Sequence, residues 1–163
     1  MTRAMRRSKQ GLSEEACLKI LEAGTSGVLA LLGDEGYPYA LPLSYAYADG
    51  KIYFHGASTG HKIDAMAQEP RASFCVVSQD QVVPLEYTTR YASVIAFGRA
   101  AVVKDPEELQ KGLEALAFKY APQDTEAHRT ETLTKPWPSL CIFALTVERM
   151  TGKASMQLIE KGL

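Results

Sequence analysis

Residues 51–62 read Lys-Ile-Tyr-Phe-His-Gly-Ala-Ser-Thr-Gly-His-Lys, an order of residue types that suits the binding of a phosphate monoester. Gly56, Ala57, Ser58 and Gly60 are small enough for backbone N–H groups to approach an anion closely. A helix beginning near Thr59 would add the positive end of its dipole, and Lys62 a point charge. The bland alternative is an ordinary strand-to-helix turn with a solvated lysine. The surroundings decide between them.

His55 ends a strand whose Ile52 and Phe54 are apolar on the opposite face. It is a candidate proton donor or ligand contact, or a core histidine bonded to a carbonyl. His61 and His128 read as exposed, and His55, His61 and Asp64 match no zinc spacing. Cys17, Cys75 and Cys141 lie far apart with no paired motif, which reads as reduced thiols packed in the core. No serine, cysteine or threonine stands in a nucleophile elbow or triad pattern, and both G-x-G-x-x-G and G-x-x-x-x-G-K-[ST] are absent. Ser93 on a strand either packs locally or meets a ligand. Trp137, between two prolines, covers either a bound ring or the core. Arg99 and Lys153 could reach an anion, although strand-end charges are commonly solvated.

The elements that must position these residues follow from period and punctuation. Ser13 with Glu14 and Glu15 starts a helix carrying Cys17, Leu18, Ile20 and Leu21 on its apolar face, and Gly24 is placed to cap it. Residues 27–32 read as a buried strand and 34–36 as its turn. Residues 37–48 read as the next strand, where Pro42 implies a sheet edge, a bulge or a backbone facing a ligand. Asp49-Gly50 is a hairpin signal leading into a strand over 51–55. A short helix over 59–68 stops before Pro70, and 71–78 is a strand. Residues 79–90, polar and containing Pro84, read as an excursion or loop. Residues 91–104 form a long strand with Gly98 as a bulge or corner. Asp105, Pro106 and Glu108 make a capping box for a helix with Leu109, Leu113, Leu116, Ala117 and Tyr120 as its stripe. A short helix over 126–133 and a strand over 140–147 complete the order. Hairpin-linked strands with few helices predict a mainly β protein with an antiparallel sheet and peripheral helices.

The chain has 163 residues, 46% of them hydrophobic, enough for one compact core. We expect an arm over 1–12, one domain over 13–157 and a tail over 158–163. A net charge of -1 provides no field for nucleic acid or anionic membrane, so any anion site must be local. The basic cluster Arg3, Arg6, Arg7 and Lys9 has no apolar stretch behind it and does not read as a signal peptide. The longest apolar run, 28–32, is too short to span a bilayer. A cytoplasmic protein with no membrane or nucleic-acid partner is the expectation.

Three stretches taken in order carry a family likeness: Gly36-Tyr-Pro-Tyr-Ala-Leu-Pro-Leu-Ser44, the 51–62 segment, and Pro70-Arg-Ala-Ser-Phe-Cys-Val-Val77. Tyr91-Ala-Ser-Val-Ile-Ala-Phe-Gly-Arg-Ala100 and Val147-Glu-Arg-Met-Thr-Gly-Lys-Ala154 extend it. Over roughly residues 8–157 the chain resembles the FMN-binding split β-barrel family, pyridoxamine 5′-phosphate oxidase-like, and in particular its nitroimidazole-resistance (Nim) type flavoproteins. The resemblance implies a six-stranded, Greek-key-like antiparallel split barrel with flanking helices. It also implies a homodimer with FMN in clefts between the two chains. By matched motif, Lys62 would hold the phosphate with Ser58 and Gly60 beside it. Leu41, Pro42, Leu43, Ser44 and Tyr45 would run along the flavin through their backbone, and His55 and Ser93 would point at the ring or ribityl chain.

The activity implied is that of an oxidoreductase passing electrons from FMN to a small-molecule substrate such as a nitroimidazole, with His55 as the catalytic proton donor. Pyridoxamine 5′-phosphate oxidation itself is not implied. Near Leu41 and Tyr45 the oxidases carry an arginine and a lysine, and their C-terminal substrate residues have no counterpart here. The alternatives are a flavin carrier or sensor, or a deazaflavin- or haem-binding relative.

Overall fold

The computed structural model describes residues 4–136 and 138–162. Its centre is a seven-stranded antiparallel sheet: β1 Ser26–Leu32, β2 Pro38–Ser44, β3 Ala46–Ala48, β4 Lys51–Ala57, β5 Arg71–Val83, β6 Thr88–Val102 and β7 Leu140–Ala154. The order across the sheet is β2-β1-β5-β6-β7-β4-β3. Its two end strands, β2 and β3, are separated in the chain by Tyr45 alone, so the sheet curls round on itself. Taken as one bent strand, they give the six strands of the expected barrel. Helices α1 Glu14–Ala23, α2 His61–Gln68, α3 Pro106–Tyr120, α4 Glu126–Leu133 and α5 Met156–Ile159 flank it. Gly11 bridges Lys153 and ties the arm to the barrel, while α5 runs across residue 157 and packs Leu158 and Ile159 on the core.

Strand alternation fills the interior. Leu29, Phe54, Phe74, Val94, Phe143 and Leu145 are fully buried, with Cys17 and Leu21 of α1 closing one side. A second cluster, Ala46, Tyr53, Leu116, Ile142 and Ala144, lies where α3 covers the outer face of β3, β4 and β7. Cross-strand partners give one outward row of Pro42, Val28, Cys75 and Ile95 and another of Ala40, Ala30, Ser73 and Phe97. No helix covers these rows fully: Val28 and Val77 on this face are 41% and 60% exposed.

Local signals hold where neighbours in sequence satisfy them. Asp49 and Gly50 have φ of 47° and 78° and turn β3 into β4. Ser13 and Asp105 accept the expected cap bonds from Ala16 and Glu108, and the register shifts at Gly98. Gly24 caps α1 as expected, its N–H donating to the Ile20 carbonyl at 3.0 Å; a methyl there would meet the Tyr45 hydroxyl at 2.6 Å. Other expectations change. Glu108 does not close a capping box, because its carboxylate is paired with Lys51. Of the two alternatives for residues 79–90 the excursion holds and the loop does not: β5 and β6 continue into a two-stranded arm around a turn at Pro84–Glu86. That arm has no sheet neighbours beyond Ala92, so both its faces meet water and no apolar alternation marks it. The last strand runs on to Ala154, and Leu109 and Tyr120 lie partly exposed at the edges of the α3 stripe.

The last concerns Tyr45, which breaks the expected strand over 37–48 and turns its ring inward. It is fully buried, its hydroxyl donates to the Leu21 carbonyl at 2.7 Å, and it meets Phe74 edge-on at 4.8 Å. The Tyr120 hydroxyl accepts from the Tyr45 N–H at 2.9 Å and lies 2.8 Å from the Tyr45 carbonyl and 2.5 Å from that of Thr25. Burial pushes the Tyr45 hydroxyl well above its ordinary value, and the thiols of Cys17, Cys75 and Cys141 are raised for the same reason. Such groups deprotonate first in the unfolded chain, so their contribution is intact below their unfolded values and is lost as pH rises. Thermal midpoints are therefore expected to fall from about pH 9 upward, and more steeply beyond about pH 10. A midpoint that stays flat to pH 11 would contradict the burial of these groups.

Candidate functional site

A gap in the barrel follows from the brevity of β3. Its three residues pair only with Lys51, Ile52 and Tyr53 of β4, while Phe54 to Ala57 pair with β7 alone. On the facing side, β2 pairs only with β1. The free edges of β2 and of the second half of β4 therefore leave a split. Pro42 falls on the edge strand, where a missing donor is harmless.

At the end of β4 the chain turns through 58–60 into α2. Gly60 has φ 106° and ψ 177°, a conformation open essentially to glycine alone, and its carbonyl accepts from the N–H groups of Ile63 and Asp64 at 2.8 and 3.2 Å. No described residue accepts from the N–H groups of Thr59, Gly60, His61 or Lys62. The helix thus begins at His61 rather than Thr59, and the free donors cluster just before it and in its first turn. Ser58 departs from expectation: its N–H donates to the Ser139 carbonyl at 3.0 Å, leaving only its exposed hydroxyl for a ligand.

Lys62 lays its stem over Gly56, where a methyl group would come within 3.0 Å of Cε and 3.4 Å of Nζ. It is half-buried and makes no hydrogen bond or ion pair with a described residue. Beside it the Cys141 thiol bonds the Ala57 carbonyl at 3.5 Å; burial pushes that thiol up while the Lys62 charge pulls it back. His61 stacks on Tyr39 of β2, with centroids 4.1 Å apart, and lies 3.6 Å from Asp34. Nothing in the sequence marked that contact, because it joins the first residue of α2 to a residue of β2 that is distant in the chain.

His55 is exposed on the other face of β4 from Gly56 and Lys62. With Ser44 it opens onto a cleft of about 400 Å³ walled by Leu113, Leu116 and Ala117 of α3, Leu133 of α4 and Leu140 of β7. Tyr120 closes one end. Leu41 and Leu43 point inward and pack on the core, so only their backbone can meet a ligand, whereas Pro42 and Ser44 face out. Tyr45 leaves the candidate set, since its ring is in the core and both its backbone groups face Tyr120. Ser93 is half-buried on the outward face of β6 in the row of Val77 and Lys153, three strands and roughly 14 Å from Ser44. One chain alone does not bring it to His55 or Lys62.

Arg99 pairs with Glu148 at 3.3 Å, Lys153 stands over the Tyr91 ring, and Trp137 lies outside the described residues. Among the described residues no three histidine, cysteine or acidic side chains cluster for a metal, and no helix is long and apolar enough to cross a membrane.

The family model for pyridoxamine 5′-phosphate oxidase matches residues 13–154. The chain belongs to that family. Solved structures agree on the fold of this pyridoxamine 5′-phosphate oxidase-family protein. A Bacteroides thetaiotaomicron protein provisionally assigned to 5-nitroimidazole antibiotic resistance superposes with a TM-score of 0.74 at 19% identity, over 88% of this chain and 85% of that one. An FAD-binding protein from Mesorhizobium loti gives 0.64 at 25% identity, over 89% and 96%. An FAD and haem binding protein from Mycobacterium smegmatis gives 0.73 at 23% identity, over 94% and 80%. No curated protein matches the chain significantly. The split barrel expected from the sequence is thus the fold of this family member.

Proposed function

We propose that this chain is an FMN-binding oxidoreductase, active as a homodimer on a small uncharged acceptor. One observation carries the reading: the Lys62 ammonium and the four N–H groups from Thr59 to Lys62 lie within one short stretch after β4, and none has a partner among the described residues. That donor set fits a phosphate monoester, with the Ser58 hydroxyl beside it. The free edge of β2 offers backbone groups to a heterocycle, and flavin-binding relatives of the same fold support the assignment. Bound flavin supplies hydride or electron transfer.

The protein's own part is to orient and to handle protons. Ser44 and His55 face the apolar cleft, where the walls of α3 and α4 exclude water and His55 can deliver a proton to a substrate atom or steady developing charge. The oxidases' cations have no replacement: Leu41 is turned into the core and Tyr45 is buried, which argues against pyridoxamine 5′-phosphate as substrate. The half-open outward rows around Val28, Val77 and Ile95 suit a second copy, which would also bring a partner surface over Ser93.

Purified protein is expected to be yellow, to release FMN on denaturation and to scatter light as a dimer. His55→Ala is expected to keep the flavin and lose about a hundredfold in turnover with a nicotinamide nucleotide as reductant. Unchanged turnover would remove His55 from the chemistry. Haem is the second reading, favoured by a lone histidine on an apolar cleft; a Soret band that shifts in His55→Ala would establish it in place of FMN.

A further inference from the structure

We infer that the cleft between β4 and the helices α3 and α4 is a binding site for an uncharged, largely apolar ring compound carrying one hydrogen-bonding group, and that it rejects phosphorylated ligands. Its volume of about 400 Å³ suits a small organic molecule, and its walls come from β2, β4, β7, α3 and α4. Among the described residues the lining is leucine and alanine apart from the polar side chains of Ser44, His55 and Tyr120. Of these, the Tyr120 hydroxyl is committed to the backbone of Tyr45 and Thr25. Ser44 and His55 bond to no described residue, so they remain to meet a ligand group.

Charge decides the class. Among the described residues no lysine or arginine lines the cleft, and nearby cations are turned elsewhere. Lys62 is on the opposite face of β4, Lys119 holds its ammonium 4.1 Å above the Tyr45 ring, and Arg129 lies over Phe118 while donating to the carbonyls of Ala121 and Asp124. A phosphate dianion would lose its water against leucine with one imidazole and one hydroxyl in return. A neutral ring loses little and gains the apolar contact.

That the occupant is the substrate rests on the function proposed for the flavin site; that the cleft binds such a ring does not. The test uses 2-naphthol and 2-naphthyl phosphate, which share a ring and differ in charge, titrated by fluorescence into purified protein whose flavin content is read in the same sample. We expect 2-naphthol to bind at least tenfold more tightly, and naphthalene to bind several-fold more weakly than 2-naphthol in wild type but equally in His55→Ala. Ala117→Trp should fill the cleft and abolish 2-naphthol binding; Leu133→Trp does the same from α4, so a folding defect in one leaves the other to decide. Equal or tighter binding of the phosphate, undiminished binding in a folded tryptophan variant, or no binding because a second chain occupies the cleft would each overturn the inference. Colourless protein that still prefers 2-naphthol would uphold the cleft and count only against the flavin assignment.

Discussion

Lys62→Ala is expected to lower the affinity for FMN by about 10–100-fold, the range of a hydrogen bond to a charged group. Titration of flavin fluorescence against wild type and variant measures it. The size follows from the geometry: Lys62 has no protein partner to share its charge with, and it is the one cation placed against the free N–H groups of the α2 start among the described residues. Removing it leaves no buried group unpaired, so the flavin-free thermal midpoint should move by no more than the equivalent of about 0.5 kcal/mol. Riboflavin, which lacks the phosphate, gives the control. Its affinity should be the same in both proteins, and a parallel loss for riboflavin would show that Lys62 shapes the split instead of holding an anion. Added salt should weaken FMN binding more in wild type than in the variant.

The parts of this site that sequence reveals are those settled within a few residues. Gly60 and Lys62 are legible because a strand, a glycine and a helix start follow each other directly. The cleft is another matter. The helix that starts after Asp105 and the one over 126–133 are legible, yet nothing local says that Leu116 and Leu133 meet over His55, which lies more than fifty residues before either. Tyr45 shows the same limit. By strand period it belongs with its neighbours along a flavin, but its ring is taken by Leu21 and Phe74 and its backbone by Tyr120, all distant in the chain. The break it causes separates β2 from β3 and so opens the split. Ser93 and the β2 backbone came from family resemblance, and one chain leaves them on different parts of the surface. The strands of the arm over 79–90 escaped notice because a ribbon wet on both faces has no apolar rhythm to read.

The bend at Tyr45 has a support that can be removed. Phe74 is fully buried, touches Tyr45 edge-on at 4.8 Å and Phe54 edge-on at 5.1 Å, and Phe54 in turn stacks on Phe143 at 5.1 Å. This aromatic run links the bend to the ends of β4 and β7, which carry His55, Gly56 and Cys141. Phe74→Ala is expected to cost about 3–5 kcal/mol, with a fall in thermal midpoint on the order of 10 °C. Stability alone would not distinguish Phe74 from any core residue, so Leu145→Ala is the comparison: it too is fully buried, but it lies outside the aromatic run that meets Tyr45. Under conditions where both variants are fully folded, Phe74→Ala should bind FMN several-fold more weakly while Leu145→Ala binds it like wild type. A void beneath Tyr45 lets β2 and β4 shift relative to each other, and the donors at the split then no longer address one ligand together. Equal FMN affinity in the two folded variants would mean that the split is held by the β1 and β7 ladders alone.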